Sequence, residues 1–596
     1  MPRFGKVLVA NRGEIAVRVF RTLRELGISA VAVYSEADRS SLHASVADEA
    51  YLVGPGAPAE SYLNQERIID AARKSGAEAI HPGYGFLAEN ASFARACSDA
   101  GLVWIGPPPE AIEVMGSKVA ARELMQSAGV PIIPGTTEPV ASAAEVARLG
   151  GEFGWPLAIK ASAGGGGKGL KVVESADEAE RAFAAAQREG ESYFADSTVY
   201  VEKFIADPRH VEVQVLADGH GTVIHLGERD CTIQRRHQKL VEETPSPAVT
   251  PELRDRIGKI AVDAARAVGY RSAGTIEGLL DQEGNYWFLE MNTRIQVEHT
   301  VTELVTGVDL VREQILIAAG EPTSLRQEEL QFRGHAIECR INAEDPAGGF
   351  LPAPGVLTRY REPAGPGVRV DSGVVEGSEI SGLYDPLVAK LCVWDTNRER
   401  ARARMLRALD EFEIEGVKTL VGFHKALLRR PCFAAGETCH GVVESDELAQ
   451  EAEQLSHGAT RVPRSPDGRV REHIVEVEVN DRRFEVKLLR PEPPFADLAR
   501  KRRERAGETA GHGAVRDAVV SPMQGTVLAV EVVEGEKVRA GQVICIVEAM
   551  KMENEITSHR QGHVTGLSVA PGEAVTTGQV ICVVAQEDDT EGGPQV

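Results

Sequence analysis

The eight cysteines, scattered from Cys97 to Cys582, include no CxxC pair. That excludes a zinc ribbon and a disulfide framework, and leaves them as reduced packing residues. No apolar run approaches the roughly 20 residues needed to span a bilayer. The opening Met1 to Lys6 leads straight into Val7-Leu8-Val9-Ala10. With neither a long apolar stretch nor a small-residue cleavage site, this start predicts a cytoplasmic protein. Positive charge is in deficit: the net charge is −23, and the basic run Arg500-Lys501-Arg502-Arg503 is short. Nucleic acid is therefore excluded as a partner, as is a membrane. No GK[ST] tripeptide occurs, which removes a Walker-type P-loop. What is present is a globular composition, 43% hydrophobic and 26% charged over 596 residues, enough for about three to five domains.

Residues 6 to 34 read as strand, helix and strand: an apolar run, then Glu14 to Phe20 at helical spacing, then Ala30 to Tyr34. This opens an α/β segment, 1–115, that closes near the proline cluster Pro107-Pro108-Pro109. From 116 to 330 the pattern changes to β hairpins and helices, and 331–445 is a further mixed segment. Residues 446–515 are polar and rich in proline, a linker interrupted by one predicted hairpin at 474–489 around Asn480-Asp481. A last segment, 516–586, precedes a tail, 587–596, expected to be disordered. The fold class is α/β and α+β, multidomain, with a duplicated β barrel at the C-terminal end.

The duplication is explicit. Gly535-Glu536-x-Val538-x-x-Gly541-Gln542-Val543-Ile544-Cys545-x-Val547 recurs 37 residues later, beginning at Gly572 and ending at Val584. Two such halves of short strands pack into a small flattened barrel. Between them lies Glu548-Ala549-Met550-Lys551-Met552-Glu553-Asn554, which sets Lys551 on an exposed hairpin tip open to a modifying enzyme.

A second motif is Gly164-Gly165-Gly166-Gly167-Lys168-Gly169, between strand-like Leu157 to Lys160 and Leu170 to Val173. A Rossmann turn leads from strand into helix; this loop joins two strands, with backbone N–H groups to surround phosphate and Lys168 to add charge. Downstream, Thr275-Ile276-Glu277 and Phe288-Leu289-Glu290-Met291-Asn292 place acidic residues inside apolar strands. Buried charge needs a partner. Glu277, Glu290 and Asn292 form the all-oxygen ligand set that magnesium on nucleotide phosphates prefers.

These elements resemble an ATP-grasp enzyme. Ala10-Asn11-Arg12-Gly13-Glu14-Ile15-Ala16, His81-Pro82-Gly83-Tyr84-Gly85 and Met291-Asn292-Thr293-Arg294-Ile295-Gln296-Val297-Glu298-His299 resemble biotin carboxylase over residues 3–445. The 516–586 segment with its Met-Lys-Met centre resembles biotin carboxyl carrier domains. Together they resemble the alpha subunits of biotin-dependent acyl-CoA carboxylases. The resemblance implies covalent biotin on Lys551 and ATP with Mg2+ or Mn2+. It places Lys118, Lys160, Gly165, Gly166, Gly167, Lys168 and Gly169 on the phosphates, and Glu202, Lys203, His210, Gln234 and His237 around the nucleotide. It sets Lys239, Arg294, Gln296, Val297, Glu298 and Arg340 around bicarbonate and biotin.

Bicarbonate is a poor electrophile and must become carboxyphosphate before its carbon moves, so two anions must meet. Lys239, Arg294, Arg340 and the metal supply positive charge, and Glu298, expected beside Arg294, is the implied base. Arg340 is implied to stabilise the enolate-like oxygen of biotin. The implied partners are a separate carboxyltransferase beta subunit, a biotin protein ligase and further copies of the chain. The alternatives are the biotin-bearing subunit of a two-subunit pyruvate carboxylase, a non-catalytic carrier, and an ATP-grasp ligase for amino acids or purines. The last leaves the carrier segment unexplained.

Overall fold

The computed structural model describes residues 4–136, 138–161, 170–194, 198–236, 238–456, 470–479, 482–491, 518–549 and 552–585. It divides into two compact units, Met1–Glu453 and Gln454–Val596. No helix among the described residues is long and apolar enough to cross a membrane.

The larger unit opens with a five-stranded parallel sheet in the order Glu49–Gly54, Ser29–Ser35, Lys6–Val9, Ala79–His81, Val103–Trp104. Its central strands are apolar on both faces, as a sheet covered by helices requires. Leu8, Val31 and Ile80 pack on one side with Tyr62, Ile68 and Phe93. Val7, Val9 and Ala30 pack on the other with Ile15, Val19 and Phe20 of the helix Gly13–Glu25.

An eight-stranded antiparallel sheet follows, ordered Tyr286–Asn292, Ser272–Leu280, Arg209–Ala217, Val223–Arg235, Gln238–Thr244, His335–Asn342, Leu387–Asp395, Val368–Ser372. Strand His335–Asn342 pairs with Gln238–Thr244, Val241 opposite Cys339, so hydrogen bonding runs unbroken through the chain on both sides of residue 330. A separate three-stranded sheet joins Leu170–Val173, Leu157–Ala161 and Val199–Lys203. Here the two predicted strands pair antiparallel, the glycine loop between them lying outside the described residues, and the helices Ala143–Phe153 and Ala179–Phe194 add Val146, Leu149, Phe183 and Ala186 to the core.

The expected linker does not begin at 446. Residues Asp446–Ser456 form a helix, with Leu448 and Ala452, four apart, buried. Asp446 and Glu447 sit in its first turn, where carboxylates complement the helix dipole. The prolines that mark the linker begin only at Pro463, beyond this short amphipathic segment.

In the smaller unit, Val470–Val479 and Arg482–Pro491 pair antiparallel, Val479 opposite Arg482. The hairpin is longer at both ends than 474–489; Asn480 and Asp481 lie outside the described residues. The barrel beyond it consists of two four-stranded sheets, ordered Ala518–Val520, Val580–Ala585, Gly562–Thr565, Lys537–Val538 and Met552–Thr557, Val543–Ala549, Gly525–Val530, Ala574–Val575. Each half contributes to both sheets, and the 37-residue sequence offset carries one sheet onto the other. Val527, Val538, Ile544 and Val547 meet their repeat mates Val564, Val575, Ile581 and Val584 in one apolar core.

Candidate functional site

The site is built on strand Arg209–Ala217. Val211, Val213 and Val215 enter the apolar core, so the strand's period of two turns His210, Glu212 and Gln214 to the opposite face. Register then sets Glu277 opposite Glu212 on one neighbouring strand and Arg229 opposite it on the other. Three charged side chains therefore share one face of adjacent strands.

Arg229 is fully buried. Its Nε donates to Glu212 Oε1 at 2.5 Å, Nη1 to Gln214 at 2.7 Å and Thr302 at 3.0 Å, and Nη2 to Gln296 at 2.6 Å and Thr275 at 3.2 Å. All of the guanidinium's N–H groups are thereby used. Lys239 Nζ reaches Glu212 at 2.5 Å, Glu277 at 3.0 Å and Glu298 at 2.7 Å. Arg340 bridges Glu242, 2.6 Å from Nε, and Glu298, 3.0 Å from Nη2. Glu277 also accepts from Asn292 Nδ2 at 2.7 Å and Gln296 Nε2 at 2.6 Å, and lies 2.6 Å from His210 Nε2.

Burial opposes every charge here. It works against the Lys239 ammonium, yet Glu212, Glu298 and Glu277 overcome it and hold the amine protonated well above the ordinary range. Burial likewise opposes the Glu298 carboxylate, but Lys239, Arg340 and Arg229 hold its carboxyl well below the usual range. Glu277 is lowered against burial by Lys239 and His210. Glu242 goes the other way, raised chiefly by burial, with its Oε2 unpartnered.

The predicted residues divide into those the fold gathers and those it does not. Lys239, Gln296, Glu298, Arg340, Glu277, Asn292 and His210 belong to one network. Arg294 reaches that network through Asn292: its Nε meets Glu89 at 2.8 Å and its Nη2 donates to Asn292 at 2.7 Å. Glu298 occupies the N-cap position of the helix His299–Thr306 without a side-chain capping bond, and its carboxylate goes to Lys239 and Arg340 instead. Glu290 is exposed rather than buried. A bulge between the pairs Glu277–Glu290 and Gly278–Phe288 leaves Leu289 and Glu290 both on the open side. Lys160 pairs with Glu202, Lys203 Nζ donates to Trp155 O at 3.4 Å, and Gln234 folds back onto Cys231 O at 2.7 Å. Val297 contributes its carbonyl, which accepts from Lys390 at 2.9 Å. Lys118's side chain, Gly165 to Gly169, His237 and Lys551 lie outside the described residues; strand pairing resumes at Ala549 opposite Met552.

For a divalent cation, His210, Glu212 and Glu277 bring ligand atoms within 4.8 Å of one another. Asn292 is hydrogen-bonded to Glu277, and Glu290 is its cross-strand neighbour. This oxygen-rich donor set fits magnesium. Glu212, Gln214, Arg229, Glu242 and Lys390 were missed. The alternation His210-Val211-Glu212-Val213-Gln214 was a usable signal. Arg229 and Lys390 gave none, because their partners are distant in sequence.

The chain matches the families described as "Biotin carboxylase, N-terminal domain" over residues 3–112, "Carbamoyl-phosphate synthase L chain, ATP binding domain" over 117–326, "Biotin carboxylase C-terminal domain" over 338–445 and "Biotin-requiring enzyme" over 517–584. It is 56% identical to a pyruvate carboxylase subunit of Methanothermobacter thermautotrophicus over 73% of this chain and 88% of that protein. It is 46% identical to the biotin-dependent acyl-coenzyme A carboxylase alpha3 subunit of Mycobacterium leprae over 93% of this chain and 94% of that one. Among solved structures, the biotin carboxylase domain of Hydrogenobacter thermophilus 2-oxoglutarate carboxylase, in complex with MgADP, ADP and bicarbonate, superposes with a TM-score of 0.67 at 48% identity. That likeness covers 76% of this chain and 99% of that one. The chain belongs to the biotin-dependent carboxylases, as an ATP-dependent biotin carboxylase joined in one polypeptide to a biotin carrier domain.

Proposed function

We propose that this chain is the biotin-carboxylating and biotin-bearing subunit of an acyl-CoA carboxylase, with Lys551 as the attachment residue and the carboxyltransferase on a separate partner. The observation that carries this reading is the alignment with the Mycobacterium leprae alpha3 subunit, which spans carboxylase and carrier alike over 93% of the chain. A second reading, the biotin-bearing subunit of a two-subunit pyruvate carboxylase, rests on the 56% identity to the Methanothermobacter thermautotrophicus protein, which covers 73% of the chain.

Glu298 is the proton acceptor for bicarbonate. Without substrate its carboxylate is paired with Lys239 and Arg340, and a carboxylate so held is a weak base. An incoming anion competes for both cations, and the basicity of Glu298 rises as they turn to it. The bicarbonate oxygen then attacks the γ-phosphorus of ATP, the proton passes to Glu298, and ADP leaves with the bonding electrons. A magnesium ion, when bound, neutralises the nucleotide phosphates; Glu277, Glu290 and Asn292 would hold it, with His210 and Glu212 adjacent. Lys118, Lys160, Gly165, Gly166, Gly167, Lys168 and Gly169 bind the phosphates, and Glu202, Lys203, Gln234 and His237 line the nucleotide. Arg229, locked by its hydrogen bonds, fixes Glu212 and Gln296, while Arg294, Gln296 and Val297 border the bicarbonate.

The test supplies the purified biotinylated chain with ATP, magnesium and labelled bicarbonate, then acetyl-CoA, propionyl-CoA or pyruvate, with and without a co-expressed carboxyltransferase. Label on biotin without partner, and on acyl-CoA only with partner, is the expected result. Label reaching pyruvate instead selects the second reading. Label on acyl-CoA without a partner overturns the division between two subunits.

A further inference from the structure

Cys432 and Cys439 stand apart from the other cysteines. Cys432 lies in the short helix Pro431–Ala435, and Gly436 ends that helix in the left-handed region at φ 77°. Gly436 N–H donates to Phe433 O at 3.0 Å and Glu437 N–H to Cys432 O at 2.9 Å, so the chain turns back over Cys432. Cys439 is itself left-handed, φ 52°, a conformation uncommon for a residue with a side chain. The result is a separation of 2.6 Å between the two Sγ atoms. Non-bonded heavy atoms settle at about 3.5 Å or more, so two thiols are crowded here and a covalent pair is not.

The surroundings hold this loop in place. Thr438 Oγ1 donates to Asp207 at 2.9 Å, and Arg398 Nη1 donates to Ala434 O at 3.0 Å. Arg209 Nη2 donates to Gly436 O. Arg398 also grips Glu243 at 2.7 and 3.0 Å, next in sequence to the Glu242 that holds Arg340; Arg209 precedes His210. Among the described residues neither cysteine belongs to a group of three ligand atoms close enough for a metal ion. Cys432 is partly exposed and Cys439 buried, so one sulfur is reachable and the other is placed behind it.

We propose that Cys432 and Cys439 form a reversible dithiol–disulfide pair that closes the loop 432–439 on itself, in the position where Arg209, Asp207 and Arg398 hold it. The oxidant is a low-molecular-weight disulfide. The Cys432 thiolate attacks one of its sulfurs, an S–S bond breaks, and one thiol leaves from a mixed disulfide. Cys439 then loses its proton and attacks the Cys432 sulfur, expelling the second thiol. Two protein thiols are oxidised and one small disulfide is reduced to two thiols.

The experiment equilibrates the native full-length chain in graded mixtures of reduced and oxidised glutathione, quenches with N-ethylmaleimide in denaturant, and digests with trypsin and a glutamyl endopeptidase. Glu437 lies between the two cysteines, so cleavage there separates them unless they are bonded. In oxidising mixtures the expected product is a disulfide-linked fragment pair, about 2 Da lighter than its dithiol form, with the other six cysteines alkylated throughout. In Cys439→Ser, Cys432 should instead carry glutathione. Full alkylation of Cys432 and Cys439 at every ratio overturns the proposal, as does wild-type Cys432 trapped with glutathione while Cys439 is alkylated.

Discussion

The barrel near the C-terminal end and the carboxylase sheet bury opposite kinds of side chain. The barrel core is valine, isoleucine and cysteine, and its buried polar residues are only Ser521, Asn554 and Ser558 among those described. The carboxylase sheet places Arg229, Lys390 and Glu212 at 0% exposure. Apolar burial stabilises by roughly 25 cal/mol per Å² without needing partners. A buried ion network is at best neutral against an apolar core of the same shape. The barrel is therefore a stable handle for the proposed attachment residue, Lys551. The sheet gives up stability to hold cations and carboxylates oriented before substrate arrives.

The comparison breaks most sharply at Lys551. Lys551→Arg keeps the charge and removes the proposed attachment point, so biotin incorporation, read by streptavidin blot and peptide mass spectrometry, should fall to background. Bicarbonate-dependent ATP hydrolysis with free biotin as acceptor should persist. Biotin found on another lysine would end the carrier assignment. In the other unit, Glu298→Gln should lower that hydrolysis by about a hundredfold or more while ATP binding and biotin incorporation stay unchanged. Arg340→Ala should cost about a hundredfold in biotin carboxylation. Near wild-type rates for either would remove it from the reaction.

Arg229→Met sharpens the contrast in stability. It leaves Glu212 and Gln296 without the donors at 2.5 and 2.6 Å, and breaking a buried pair costs about 3–5 kcal/mol. Calorimetry should find the transition of the larger unit shifted down and that of the barrel in place. A variant as stable as wild type would mean that solvent reaches Glu212.

The same contrast explains what was legible in the sequence. The barrel was readable because its instruction is written twice: a period of two inside each strand and an offset of 37 residues between halves. Glu277, Glu298 and Arg340 stand in motifs the sequence displays, and Lys239 comes with the resemblance to biotin carboxylase. The partners of those residues were not readable. Arg229 is joined to Thr302 and Gln296 across 73 and 67 residues, and no local pattern announces a contact at that separation. The Glu89 that pairs with Arg294 is of the same kind, 205 residues away in the chain. Cys432 and Cys439, six residues between them, show no CxxC spacing, yet a glycine turn brings them together.

The smallest expected effect concerns Glu344, buried at 1% exposure outside the catalytic network. Burial raises its carboxyl from 4.5 to about 7, against the Asn342 hydrogen bond and the charge of Arg235. Between those two values the folded chain holds a proton that the unfolded chain has released. The contribution of Glu344 to stability therefore falls as pH rises through that window and levels off above it, while buried His43, His81 and His424, lowered to about 4, contribute in the opposite sense. Glu344→Gln keeps the shape and accepts the same Asn342 donor without the charge. It should match wild type near pH 4.5 and exceed it at pH 8 by about 1–3 kcal/mol, read as a rise of a few degrees in the larger unit's transition. In the barrel the displaced groups among the described residues are Glu534, lowered by backbone N–H donors, and Cys545 and Cys582, raised by burial. None of them titrates in that window, so the difference between wild type and Glu344→Gln should change with pH in the larger unit's transition and stay flat in the barrel's. A pH-independent difference between wild type and Glu344→Gln, or a pH-dependent one in the barrel's transition, would remove Glu344 as a titrating group in that window.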